Sequence, residues 1–176
     1  MALLRVGGGL PPERQLSDDA EMPKPTEHHE MILEGVGEWT GKIIINEPGQ
    51  PQMAIDATET VTALGGFWTT TEFKCDYMGM PFEGRALTGY DVDAKKMVGT
   101  WCDTMSSYLA VMEGEIDLEN KTIEMTWEAP VMGFEGLVPH RSVMKCGEDE
   151  YTSMFFRGEG DAEIQNMTIE MKRNSK

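Results

Sequence analysis

Thr122-Ile123-Glu124-Met125-Thr126-Trp127-Glu128 is the stretch that decides the fold. Successive side chains of an extended strand point to opposite faces. Ile123, Met125 and Trp127 therefore share one face, and Thr122, Glu124, Thr126 and Glu128 share the other. A helix would scatter the same residues around its circumference and leave no apolar stripe. One dry face and one wet face is the mark of an antiparallel strand covering a core.

The same period of two runs outward in both directions. Upstream, Trp39, Gly41, Ile43 and Ile45 alternate with Thr40, Lys42 and Ile44. Met53, Ile55, Ala57 and Val61 alternate with Asp56, Thr58, Thr60 and Thr62, and Phe67, Thr69, Thr71, Phe73 and Cys75 with Glu72, Lys74 and Asp76. Further strands are expected over 82–90, 95–103 and 108–116. Downstream they are expected over 138–146, 151–156 and 164–173, the last with Met167, Ile169 and Met171 on one face. Turn residues punctuate the runs: Pro48-Gly49-Gln50-Pro51, Gly65-Gly66, Met78-Gly79-Met80-Pro81, Asp91-Val92-Asp93-Ala94 and 117–120.

About ten short strands joined by short hairpins predict an all-β fold, a closed antiparallel up-and-down barrel. Closure removes unpaired edges, and about eight to ten strands leave room inside for side chains or one small ligand. One short N-terminal helix is expected over Thr26–Val36, with Thr26 as N-cap and Gly35 or Gly37 as the stop, flanking one end of the barrel. Residues 1–25, with Gly7-Gly8-Gly9 and Pro11-Pro12, show no apolar period and are expected to be a flexible tail; residues 26–176 are expected to form a single domain.

The formal charge of −16, from 31 acidic and 15 basic residues, argues against nucleic acid and anionic membranes as partners. The apolar run Ala2-Leu3-Leu4 is shorter than the roughly 7–15 residues of a signal-peptide core, and nothing approaches the roughly 20 of a membrane span. Cys75, Cys102 and Cys146 have neither disulfide nor zinc spacing. They are expected to be buried free thiols, which suits a cytoplasmic location. Homodimerisation is left open by the sequence.

Seven residues are candidates for a pocket: Trp39, Glu59, Arg85, Trp101, Asp103, Trp127 and His140. Trp101 and Asp103 share a face with Met97 and Gly99, which would put a carboxylate beside an indole near a barrel mouth. The commoner role for Asp103 is to end its strand and cap the turn at Thr104-Met105. A Glu59–Arg85 pair inside the barrel would anchor a ligand headgroup. The alternative puts Glu59 in water at a strand end and Arg85 outside, and the apolar row Phe82, Gly84, Ala86, Thr88 favours that placement for Arg85. His140 falls in the row of Val138, Ser142, Met144 and Cys146, so it is expected inside, as a haem ligand, a proton acceptor or, most commonly, a hydrogen-bonded core histidine. His28 and His29 point about 100° apart on a helix and form no metal pair; packing or capping is expected of His28. Met125, Met144, Met167 and Met171 fall in inward rows, as core filling or as an adaptable ligand lining.

Glu27-His28, Gly37-Glu38-Trp39, Leu64-Gly65-Gly66, Gly89-Tyr90-Asp91, Gly99-Thr100-Trp101-Cys102-Asp103-Thr104-Met105, Gly114-Glu115-Ile116-Asp117 and Arg141 occur in that order. The set resembles a bacterial family known as a domain of unknown function, whose members read EH…GxW…GYD…GTWxDSM…GxxD…YR. The resemblance covers Pro25 to Arg173, with Thr104 where a Ser is usual and His140 where a Tyr often precedes the Arg. It implies a lipocalin-like (calycin-like) barrel and supplies no reaction. The Gly37-x-Trp39 element is also similar to the opening signature of lipocalins and of haem-binding nitrobindin-like barrels.

The first functional expectation is a module that binds a small apolar or amphipathic molecule. Its rivals are an enzyme using Asp103, Glu59 or His140 as acid or base, a haem protein using His140, and a structural or oligomer-forming barrel with a filled interior. The absence of GxSxG, P-loop, GxGxxG and HExxH motifs weighs against an enzyme and leaves the cofactor unassigned.

Overall fold

Barrel closure depends on the two ends of the chain meeting. In the computed structural model, which describes residues 22–174, strand β1 (Gly37–Ile45) pairs antiparallel with β10 (Ile164–Arg173), Trp39 facing Arg173 and Ile43 facing Ile169. Between them run β2 (Met53–Leu64), β3 (Trp68–Tyr77), β4 (Met80–Asp91), β5 (Lys96–Asp103), β6 (Ala110–Asp117), β7 (Thr122–Pro130), β8 (Leu137–Cys146) and β9 (Glu150–Arg157). Each pairs with its neighbour in sequence, which gives a closed ten-stranded meander, as expected. Of the tail expected over residues 1–25, the first 21 lie outside the described residues.

The turns follow from local chemistry. Met78 and Gly79 both take positive φ (56° and 84°). That is the two-residue hairpin whose twist matches the flanking strands. The β4–β5 and β6–β7 connections repeat one device. Asp91 Oδ1 accepts the backbone N–H groups of Asp93 and Ala94, and Asp117 Oδ1 accepts that of Asn120. Lys95 and Lys121 then take φ of 55° and 50° to re-enter the sheet. Strand β6 starts at Ala110, later than expected, because Tyr108 N–H donates to Ser106 Oγ instead of to a neighbouring strand.

Helix α1 (Glu27–Glu34) is shorter than expected. Gly35 caps it, its N–H reaching Ile32 O, and Gly37 takes a φ of 148° that turns the chain into β1. Buried Met31 and Ile32 point from α1 into the barrel. The helix covers the end at which β3 begins and β4 stops. The loops 46–52, 104–109, 131–136 and 158–163 surround the opposite end.

Two apolar clusters fill the wall. One is centred on Trp39, Ile43, Ile55, Ala57, Phe73 and Met171, the other on Ile32, Met97 and Met125. The space between is not fully packed.

Candidate ligand cavity

The inward rows enclose a cavity of about 520 Å³. Trp39, Glu59, Trp101, Asp103, Trp127 and His140 all line it. Arg85 is the exception. Its neighbours Gly84 and Ala86 take the inward parity, so its guanidinium lies on the outer face in ion pairs with Glu72, at 2.8 Å, and Glu83. The interior Glu59–Arg85 pair is thereby excluded. A larger depression of about 970 Å³ lies open over the outer side of β1 and its neighbours; Lys42, Asp56, Lys74 and Glu170 border it, as expected of a solvated face.

Glu59 is half-buried and faces the cavity rather than standing at a wet strand end. Tyr151 Oη donates a 2.5 Å hydrogen bond to Glu59 Oε2 from the far side of β1 and β10. Burial pushes the Glu59 carboxyl above its ordinary value, and the Tyr151 bond opposes this. The same burial, with the Glu59 carboxylate beside it, drives the Tyr151 phenol well above its ordinary value.

Near the open end, His140 Nδ1 lies 2.8 Å from Val138 O. A carbonyl only accepts, so Nδ1 carries the proton and Nε2 keeps its lone pair. The ring stacks on Trp127 at 5.4 Å with 15° between planes. Burial is the main cause that holds its pKa below the ordinary imidazole value, with Arg157 adding to the effect. Asn166, at the β10 bulge between Gln165 and Met167, also lines the cavity; its Oδ1 is buried and has no hydrogen-bond partner among the described residues. Sequence reasoning missed it because the bulge breaks the alternation that would have exposed it.

Asp103 combines both expected roles. Oδ2 accepts Trp101 Nε1–H at 3.0 Å, and Oδ1 accepts the backbone N–H of Met105 at 2.9 Å, capping the turn. Trp101 fits because Gly84 has no side chain: a Cβ there would sit 2.2 Å from the indole.

The helix end is closed by groups the sequence reading left aside. Arg173 lies 4.2 Å over the Trp39 ring and donates to Val36 O and Glu34 O, both at 2.7 Å. Trp39 Nε1–H donates to Gly35 O at 3.0 Å. Arg173 was legible as the residue that continues the inward row Met167, Ile169, Met171. Of the adjacent histidines, His28 packs, stacked on Tyr90 at 4.2 Å, while His29 caps. His29 is 1 % exposed, its Nδ1 accepts Thr26 N–H at 3.0 Å, and its Nε2–H donates to Tyr90 O at 3.0 Å.

At the rim, Arg157 grips Glu47 with two hydrogen bonds of 2.9 and 3.1 Å, under the ring of Phe134. Met105, Leu109, Met132 and Phe134 are exposed on the surrounding loops.

The cysteines are all free. The expected burial of all three is corrected: Cys75 and Cys146 are half-buried, and Cys102 is exposed because Trp101 and Asp103 on either side take the inward positions. Burial pushes the Cys146 thiol up to about 11. Among the described residues, no group of three His, Cys, Asp or Glu is placed to hold a metal ion, and no helix is long and apolar enough to cross a membrane.

A family model described as a protein of unknown function (DUF1579) matches residues 24–173. No curated protein matches the chain. Among solved structures, that of Rv2717c from M. tuberculosis is similar, with a TM-score of 0.64 at 10 % identity, over 86 % of this chain and 100 % of that one. At that identity the likeness concerns the fold alone.

Proposed function

The chain belongs to the DUF1579 family, whose description carries no activity, and from the cavity we propose that it binds a small amphipathic molecule inside the barrel. The observation that carries this reading is an interior that is neither filled nor uniformly apolar. About 520 Å³ is ample for a small ligand. Polar groups stand at two levels: Glu59 with Tyr151 beside Trp39, toward the helix, and His140 with Asn166 toward the mouth. Met125, Met144, Met167 and Phe155 supply apolar wall. An unpartnered buried oxygen such as Asn166 Oδ1 costs about 1–3 kcal/mol. A filled structural barrel would gain nothing from keeping it, whereas a binding site gains a contact. The rim loops, with exposed Met105, Leu109 and Met132, would admit and cover the ligand. The three free thiols agree with a cytoplasmic setting.

One observation favours a second reading, haem binding. A histidine that gives its Nδ1 proton to a backbone carbonyl and keeps a neutral Nε2 is oriented as metal-ligating histidines are, and haem requires a single such axial ligand. Native mass spectrometry of the protein purified from its own cells, with an absorbance scan, tests both. A co-purifying organic mass without a Soret band supports the first reading. A Soret band lost in His140→Ala supports the second. An apo mass that stays unliganded when small amphiphiles are added contradicts both.

A further inference from the structure

We propose that the ligand carries a protonated amine head, which seats on Glu59 at the inner level of the cavity; the proposal rests on the binding reading above and specifies its substrate class. The first reason is the charge of the lining. Among the described residues, Glu34, Glu59 and Asp103 are its acids and Arg173 is its one cation. Arg173 is already committed, donating to the carbonyls of Val36, Glu34 and Glu148 and lying over Trp39. Among the described residues that line the cavity, no other guanidinium or ammonium is left to receive an anionic head.

The second reason is the state of the carboxylates. Both oxygens of Asp103 are engaged, one by Trp101 and one by Met105. Glu34 reaches out to Lys121 in solvent. Glu59 receives only the Tyr151 hydroxyl, on Oε2, and among the described residues no ion pair reaches it. A half-buried carboxylate facing the cavity with one hydrogen bond and no ion pair is desolvated at a cost, and an ammonium beside it turns that cost into a paired charge. A carboxylate head would instead bring two like charges together. An alcohol would add one neutral hydrogen bond. The surrounding rings add to the preference: Trp39 and Tyr151 meet edge to face at 5.2 Å, and aromatic rings attract cations.

Burial shifts the Glu59 carboxyl upward, toward its neutral form, and an ammonium beside it opposes that shift by favouring the ionised carboxylate. Amine affinity therefore rises with pH through the Glu59 titration and falls only where the amine itself loses its charge.

The test is calorimetric titration of the full chain with decylamine, decanol and decanoate, in about 0.3 M salt so that the acidic surface is screened. The expected order of affinity is decylamine, then decanol, then decanoate, with the amine preferred over the alcohol by about tenfold or more. In Glu59→Gln, shown folded by circular dichroism, the amine-to-alcohol ratio falls to near one. If decanoate binds as well as decylamine, or if Glu59→Gln keeps the amine preference, the amine assignment is wrong while the binding reading stands. If none of the three binds, both are wrong.

Discussion

Tyr151 Oη and Glu59 Oε2 are joined by a 2.5 Å hydrogen bond that crosses the barrel interior, linking β9 to β2 past the intervening β1 and β10. The residues are 92 apart in sequence. The bond is a strut between two walls, and it defines the inner polar level of the cavity.

Stability should report on this pair. Burial raises the folded-state pKa of Glu59, so the folded chain holds the proton more tightly than the unfolded one. The contribution is full at acid pH and is lost as pH rises through the folded value. Glu59→Gln keeps the shape without ionising. Urea denaturation should show the variant gaining on the wild type between about pH 4 and about pH 8. Equal differences at both values would contradict the placement of Glu59. Tyr151→Phe, which removes the hydrogen bond given to Glu59, should lose about 2 kcal/mol at neutral pH.

The adjacent histidines should separate sharply. His29→Ala removes a 1 % exposed ring and its bonds to Thr26 and Tyr90, and should cost about 3 kcal/mol in chemical denaturation. His28→Ala removes a stack on Tyr90 and should cost about 1 kcal/mol or less. A reversed order would mean that His28, not His29, pins the helix.

Gly84 should be intolerant because of Trp101 rather than because of backbone freedom. A Cβ there would lie 2.2 and 2.3 Å from two indole carbons. Gly84→Ala should destabilise by about 1–3 kcal/mol. It should also shift the tryptophan emission as Trp101 moves into the cavity. An unchanged spectrum would show that the indole does not pack there.

Thiol labelling should be ordered by environment. Cys102 is exposed and should react first with a thiol reagent near neutral pH. Cys146, pushed up to about 11 by burial, should react slowest. Cys102→Ser should then remove the fast phase and leave the slow one.

Nearly all of the strand architecture was legible in the sequence, because parity is a local property. Alternation set Ile123, Met125 and Trp127 against Glu124 and Thr126, and the same rule put Trp101 and Asp103 inside. It should also have put Cys102 outside, where the general preference of cysteine for burial misled. What was not legible is long-range. Glu59 meets Tyr151 instead of Arg85 because the barrel closes through β1 and β10, and no property of either strand alone announces that partner. Asn166 was hidden by a bulge that breaks the alternation. Arg173 stood in plain parity with Met171, but its importance depends on the helix end folding over Trp39.

The central claim is that the barrel interior takes up a small molecule. The most direct measurement is titration of the purified protein with decanol while following tryptophan emission, since Trp39, Trp101 and Trp127 all line the cavity. Being neutral, decanol takes surface charge out of the question. The account predicts a saturable spectral shift with one molecule bound per chain, weakened in Gly84→Ala, where Trp101 is driven into the space. A change that stays linear and small up to the solubility limit, with no heat of binding, would contradict it and leave the interior as packing alone.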